Sequence, residues 1–271
     1  MKVYLALFLI LLNFSLLNSQ YTETINSNRP GLSQGAFSVG KDVLQFELGY
    51  RNSNLKNESF NNSKISNVKY LYNIRYGFLS NKLEVFLEGS YNNDEIDDLI
   101  KSVNYKNSFL GKQTLVFKFL VFDPFKNKKW HSVNLLSWKK NRNLRLVDFI
   151  PAISITTGIN YMPKNGNDFD DPFSIFNKKT LFELNEKSIN SKVGLITQNH
   201  FLGKWVFVNN ITFDRLGTSY SILNYTTTLT HNYRNPRWSS FIEYELIKND
   251  VYSNNFYNVG TAFLFNQDFQ I

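Results

Sequence analysis

Between Val68 and Tyr91 the chain reads VKYLYNIRYGFLSNKLEVFLEGSY, and its side chains alternate over two successive stretches. Val68, Tyr70, Tyr72, Ile74, Tyr76 and Phe78 are separated by Lys69, Leu71, Asn73, Arg75 and Gly77. After Leu79-Ser80-Asn81 the phase flips, so that Leu83, Val85, Leu87 and Tyr91 oppose Lys82, Glu84, Glu88 and Ser90. Successive side chains of a strand point to opposite faces, so each stretch is a strand with one apolar and one wet face. The short link makes the pair an antiparallel hairpin. Strands of this length, with tyrosine and phenylalanine on the apolar side, suit a bilayer, whose hydrocarbon is spanned by about 9–11 tilted residues. On this reading Tyr72, Ile74, Val85 and, further on, Ile155 face lipid.

The rest of the chain repeats the hairpin. Strands are expected at 43–50, 68–78, 83–91, 109–121, 152–162, 189–199, from 205, at 220–233, from 238, and at 258–265. Phe269-Gln270-Ile271 restarts the alternation after a turn at Asn266-Gln267-Asp268 and so begins an eleventh strand. The expected fold is all-β, an antiparallel transmembrane up-and-down β-barrel. Ten strands are complete here, an eleventh is begun, and about twelve belong to the intact protein, because single-chain bacterial barrels close with even numbers. The chain is therefore expected to be C-terminally truncated by roughly 20–30 residues, one or two spanning strands. Residues 43–50 and 258–265 should then share no continuous ladder. Long polar loops are expected after strands one, three, five and nine, and tight turns after two, six, eight and ten, which would face the periplasm. The connection 123–148 breaks that pattern. It carries Lys126, Lys128, Lys129, Lys139, Lys140, Arg142 and Arg145, and its middle, 131–140, reads either as an amphipathic turn on the inner leaflet or as a solvated linker.

Hydrophobic content of 42% and a mean hydropathy of −0.31 exclude a helical membrane protein, whereas a barrel hides its hydrophobicity in alternation. The formal charge of +8 would permit nucleic acid as a partner, but the basic residues gather on no single stripe, and none is expected. With no cysteine in 271 residues, disulfides, thiolate metal sites and cysteine catalysis are excluded. Lys2, the apolar run from Val3 to Leu12 and Leu17-Asn18-Ser19 make residues 1–19 a cleaved signal peptide. Residues 20–42, polar and punctuated by Asn28-Arg29-Pro30-Gly31, read as a periplasmic N-terminal segment, and 43–271 as the barrel. The expected location is the outer membrane of a Gram-negative cell, with outer-membrane lipid as partner.

The chain resembles the Bacteroidetes-type outer-membrane transporter family labelled putative meta-pathway of phenol degradation. The likeness lies in Asn28-Arg29-Pro30-Gly31, where the family usually has Asp-Arg-Pro, and in Leu44-Gln45-Phe46-Glu47-Leu48-Gly49. It continues in Tyr76-Gly77-Phe78 with Leu83-Glu84, in Asp148-Phe149-Ile150-Pro151-Ala152 and in Phe241-Ile242-Glu243. The resemblance implies a barrel of about twelve strands and a role in moving small, aromatic or hydrophobic molecules.

If the aromatic faces meet lipid, the polar faces line the lumen. The inward candidates are Glu47, Lys69, Arg75, Glu84, Glu88, Lys112, Lys118, Glu243 and Glu245. Two readings stay open: charged rings of a pore that select solutes, or opposite charges that pair and, with Phe86, fill a narrow bore. His131, His200 and His231 sit in separate segments without metal-ligand spacing or a placed nucleophile, so no enzyme activity, metal or cofactor is expected. The acidic stretches 94–98 and 168–171 match no calcium-loop spacing and read as solvated surface. The expected function is passive passage of small molecules through an outer-membrane channel. The alternative is a non-conducting barrel whose extracellular loops bind a partner or surface ligand.

Overall fold

Tyr76 opposes Val85 and Tyr70 opposes Tyr91, the pairing that the alternation of 68–91 requires. The computed structural model describes residues 27–57, 63–98, 103–126, 144–161, 163, 189–218, 221–235, 237–249, 253–266 and 269–271. The signal stretch, 131–140 and 168–171 lie outside these residues. The strands are β1 (Leu44–Asn57), β2 (Ser63–Gly77), β3 (Leu83–Asp98), β4 (Val103–Phe122), β5 (Ala152–Tyr161), β6 (Ile189–Phe201), β7 (Trp205–Leu216), β8 (Ile222–Asn232), β9 (Trp238–Lys248), β10 (Ser253–Asn266) and β11 (Phe269–Gln270). They form one antiparallel sheet in strict sequence order. Among the described residues the only helical pieces are short 3-10 turns at Pro124–Lys126 and Leu146–Phe149. No described helix is long and apolar enough to cross a membrane.

The sheet curls. Lys192 on β6 reaches Glu88 on β3 at 2.7 Å, and Lys112 on β4 reaches Asp214 on β7 at 2.8 Å. Strands three apart lie about 14 Å from one another in a flat sheet, so these contacts require the polar face to be concave. The convex face is apolar and open: Leu48 is 81% exposed, Ile242 63% and Val259 78%. Tyr72, Ile74, Val85 and Ile155 fall on this face by register. Aromatic contacts collect near both its borders. Trp238–Phe263, Trp205–His231 and Phe149–Phe201 lie at the end of the tight turns, and Tyr50–Tyr70 and Tyr244–Tyr257 toward the other. Two aromatic borders around an apolar band are the exterior of an outer-membrane barrel, and this fold is compatible with one.

Several strands run further than the sequence pattern indicates. Residues expected as polar loops extend β1 to Asn57, start β2 at Ser63, carry β3 to Asp98, start β4 at Val103 and start β10 at Ser253. The acidic stretch 94–98 is thus strand backbone paired with 103–107. The cause is local: where neither face is apolar, a strand shows no alternation, and its polar sequence looks like a loop. The long-loop asymmetry is therefore carried by overhanging strands more than by the connections themselves. At the other end, β1 pairs with β2, and no pairing among the described residues joins β1 to β10 or β11. The eleventh strand is begun at Phe269–Gln270 against the end of β10, through a register shift between Leu264 and Asn266.

The facing of the sheet is testable at Ile74, which sits mid-strand on the convex side opposite Phe46 and Leu87. Ile74→Arg is expected to cost roughly 2–4 kcal/mol if this site meets the bilayer midplane. Urea unfolding of the protein in lipid vesicles reads it, and an unchanged midpoint would place the convex face in water.

Candidate functional site

Residues 27–42 do not stand apart from the sheet as a lead-in. They cross its concave face, with Ala36 fully buried and Val39 3% exposed. Of the expected periplasmic N-terminal segment, 20–42, the described part thus lies against the sheet. The segment is not a strand, so its backbone groups find partners on side chains of the wall. Asn28 N donates to Glu47 Oε1 on β1 at 3.0 Å. Leu32 N and Ser33 N donate to Glu243 Oε2 on β9 at 2.9 and 3.0 Å. Asn210 on β7 forms a two-way amide pair with Gln34, accepting from its N–H at 2.6 Å and donating to its carbonyl at 2.9 Å. Gln198 on β6 accepts from Ala36 N at 2.8 Å, and Ser154 on β5 donates to the Ala36 carbonyl at 2.6 Å. Lys118 on β4 donates to the Gly35 and Phe37 carbonyls, and Glu84 on β3 accepts from Val39 N. The segment joins the sheet where Asp42 N donates to the Gly77 carbonyl at 2.8 Å. A Cβ on Gly77 would collide with the Gly40 carbonyl there, so glycine permits the close approach. Around Ala36 the contact is apolar, against Leu120, Ala152, Ile196 and Val208.

Beneath Val39 lies a buried ion network on four adjacent strands. Glu84 and Lys118 are cross-strand partners, and Arg75 is diagonal to both Glu47 and Glu84. Arg75 donates to Glu84 Oε1 at 2.7 Å and to Glu47 Oε1 at 2.9 Å, and Lys118 Nζ stands 2.9 Å from Glu84 Oε2. Arg75, Glu84 and Lys118 have fully enclosed side chains. Two carboxylates and two cations cancel, the condition under which such groups tolerate removal from water. Glu243 is also buried and accepts from Thr228 Oγ1 and Asn258 Nδ2 besides the segment.

Toward the end of the sheet away from the 78–82 turn, the concave face opens into a cavity of about 1020 Å³, with residues 28–32 and Gln34 contributing to its wall. Glu88, Lys112 and Glu245 border it, as do Lys192 and Asp214. Asp214 further accepts from Asn160, which also bridges Thr114 and Asn190.

All nine residues named from the sequence thus lie on the concave face. Glu47, Lys69, Arg75, Glu84, Lys118 and Glu243 are buried, while Glu88, Lys112 and Glu245 are half-buried. Both readings of these charges find a part of the surface: pairing around Phe86, which is 2% exposed, at one end, and open space at the other. The sequence reading missed Asn210, Gln198, Ser154, Lys192 and Asp214. Their signal was the wet face of β5, β6 and β7, opposite Ile155, Leu195 and Ile211. His200 packs against Phe37 and Phe125, and His231 against Trp205. Among the described residues no group of three or more metal-ligating side chains is present.

Comparison with known proteins gives a family match. Residues 27–271 match the family model described as "Putative MetA-pathway of phenol degradation". The matched span takes in the segment on the concave face as well as the strands. No curated protein matches the chain.

The ion network makes a stability prediction. Glu84→Leu leaves Arg75 and Lys118 buried without their shared carboxylate and is expected to cost about 3–5 kcal/mol. Lys192→Met, which breaks a partly exposed pair, should cost no more than about 1 kcal/mol. Urea midpoints of the folded, heat-modifiable band on gels compare the two, and equal effects would deny the network its role.

Proposed function

Given that the chain belongs to the family described as "Putative MetA-pathway of phenol degradation", we propose that it is an outer-membrane β-barrel for passage of small molecules, stoppered by its own N-terminal segment. The observation that carries this reading is how the segment is held. Residues 28–39 are tied to β1, β9 and all five strands from β3 to β7 by side-chain hydrogen bonds, not by strand pairing. Bonds to neutral side chains contribute a net of about 0.5–1.5 kcal/mol each and those to charged groups about 1.5–3 kcal/mol, and none belongs to a strand ladder, so the segment can leave without opening the sheet. The exposed apolar convex face with its aromatic borders supports placement in the outer membrane, tight turns toward the periplasm. The segment then closes the periplasmic half, and the cavity lies on the extracellular side of it. The buried ion network favours the second reading, a permanently filled barrel whose loops bind a partner.

Single-channel recording in planar bilayers separates the two. The unaltered protein is expected to show rare, brief openings. Glu243→Ala removes the acceptor for Leu32 N and Ser33 N, and Asn210→Ala removes the amide pair with Gln34. Each change removes two hydrogen bonds to the segment and should raise the frequency of openings at least about tenfold, the equivalent of two bonds of about 0.7 kcal/mol net each. Silence in the protein and in both variants would refute passage and leave the filled barrel.

A further inference from the structure

The cavity above the segment has a wall whose chemistry narrows its occupant. We infer that it takes a neutral, polyhydroxylated small molecule of saccharide size rather than an ion or a wholly apolar solute. This rests on the reading of the chain as a barrel open to solutes, but not on the family's description. The volume, about 1020 Å³, is at the upper end of ligand cavities and admits a disaccharide.

Charge comes first. Lys112 is engaged by Asp214 at 2.8 Å, Lys192 by Glu88 at 2.7 Å, and Glu243 by the segment, Thr228 and Asn258. Five cationic and five anionic side chains line the cavity, so its wall carries no net charge with which to attract an ion. Uncharged polar side chains are then the most numerous on the wall. Amides and hydroxyls such as Asn73, Ser90, Thr212, Asn224, Thr226 and Asn254 line the space from β2 round to β10. Asn73 Oδ1 and Ser90 Oγ are buried on this wall with no hydrogen-bond partner. Amides and hydroxyls both donate and accept, which matches a molecule whose own hydroxyls do the same. A solute with one hydroxyl or none would leave most of them unanswered. Phe241 and Phe256 supply apolar surface on β9 and β10. Opposite Phe241 stands Gly260, whose Cβ would come within 2.6 Å of the ring. The glycine therefore lets the ring lie back against β10, where its face can meet the C–H surface of a sugar.

Calorimetric titration of the full chain in detergent tests this with maltose, phenol, glutamate and lysine as probes. Maltose is expected to bind most tightly. Asn254→Leu and Thr212→Val, both on the cavity wall and neither hydrogen-bonded to the segment, should each weaken it about tenfold through a lost hydrogen bond, leaving the urea midpoint in place. Absence of maltose binding, tighter binding of phenol or of either charged probe, or undiminished maltose binding in both variants would overturn the inference. Solute entry into proteoliposomes keeps the two readings apart. Entry without maltose binding sinks the inference and spares passage; maltose binding without entry, even in Glu243→Ala, sinks passage and spares the inference.

Discussion

An unpaired stretch of backbone inside a curled sheet has to satisfy its N–H and C=O groups without a neighbouring strand, and most of the concave face follows from that. The strands have spent their own backbone groups on each other, so only side chains remain. A carboxylate answers two adjacent N–H groups at once, which is what Glu243 does for Leu32 and Ser33. An amide answers a donor and an acceptor together, which is what Asn210 does for Gln34. Once Glu84 is brought in to receive Val39 N, it needs cations of its own, and Arg75 and Lys118 supply them. Arg75 in turn has donors left over for Glu47, which caps Asn28. The charge network is thus a consequence of the segment and not an independent feature.

This ordering bears on why charge is buried at all. Replacing a buried ion network by well-packed apolar residues is often neutral or stabilising. An apolar wall, however, would leave Val39 N, Asn28 N and the Gly35 and Phe37 carbonyls without partners. The network's contribution is then to position one path of backbone across the sheet. Stability of the strands themselves rests on their ladders and on the apolar contacts around Ala36.

What could be read from the sequence divides along the same line. Strands two and three were legible because one face is apolar and the other wet, and the same alternation sent Arg75, Glu84 and Glu88 to the concave side. β6 and β7 were less so: a register shift between Ser191 and Val193 breaks the pattern near Lys192, and Asp214 sits close to the end of its strand. The outer parts of β1 to β4 are polar on both faces and carry no period. The path of residues 27–42 was invisible for a different reason. It is recognised through its backbone, which is nearly the same for every sequence, so the information lies in the wall residues and only shows once they are brought together. Asn210 read alone looks like any asparagine in an asparagine-rich chain.

The junction at Gly77 has a kinetic side. Because Asp42 N is bonded to the Gly77 carbonyl and the chain enters β1 at Leu44, the segment is tied to the sheet within a few residues of the place it occupies. On the proposed reading, a released segment therefore faces its own seat at an effective concentration on the order of millimolar or above, whatever the dilution of the protein. Reclosure is a first-order event that needs no partner and no encounter. A solute present at micromolar levels cannot hold the passage open by crowding the segment out. It can do so only by binding the exposed wall more tightly than the tethered backbone does.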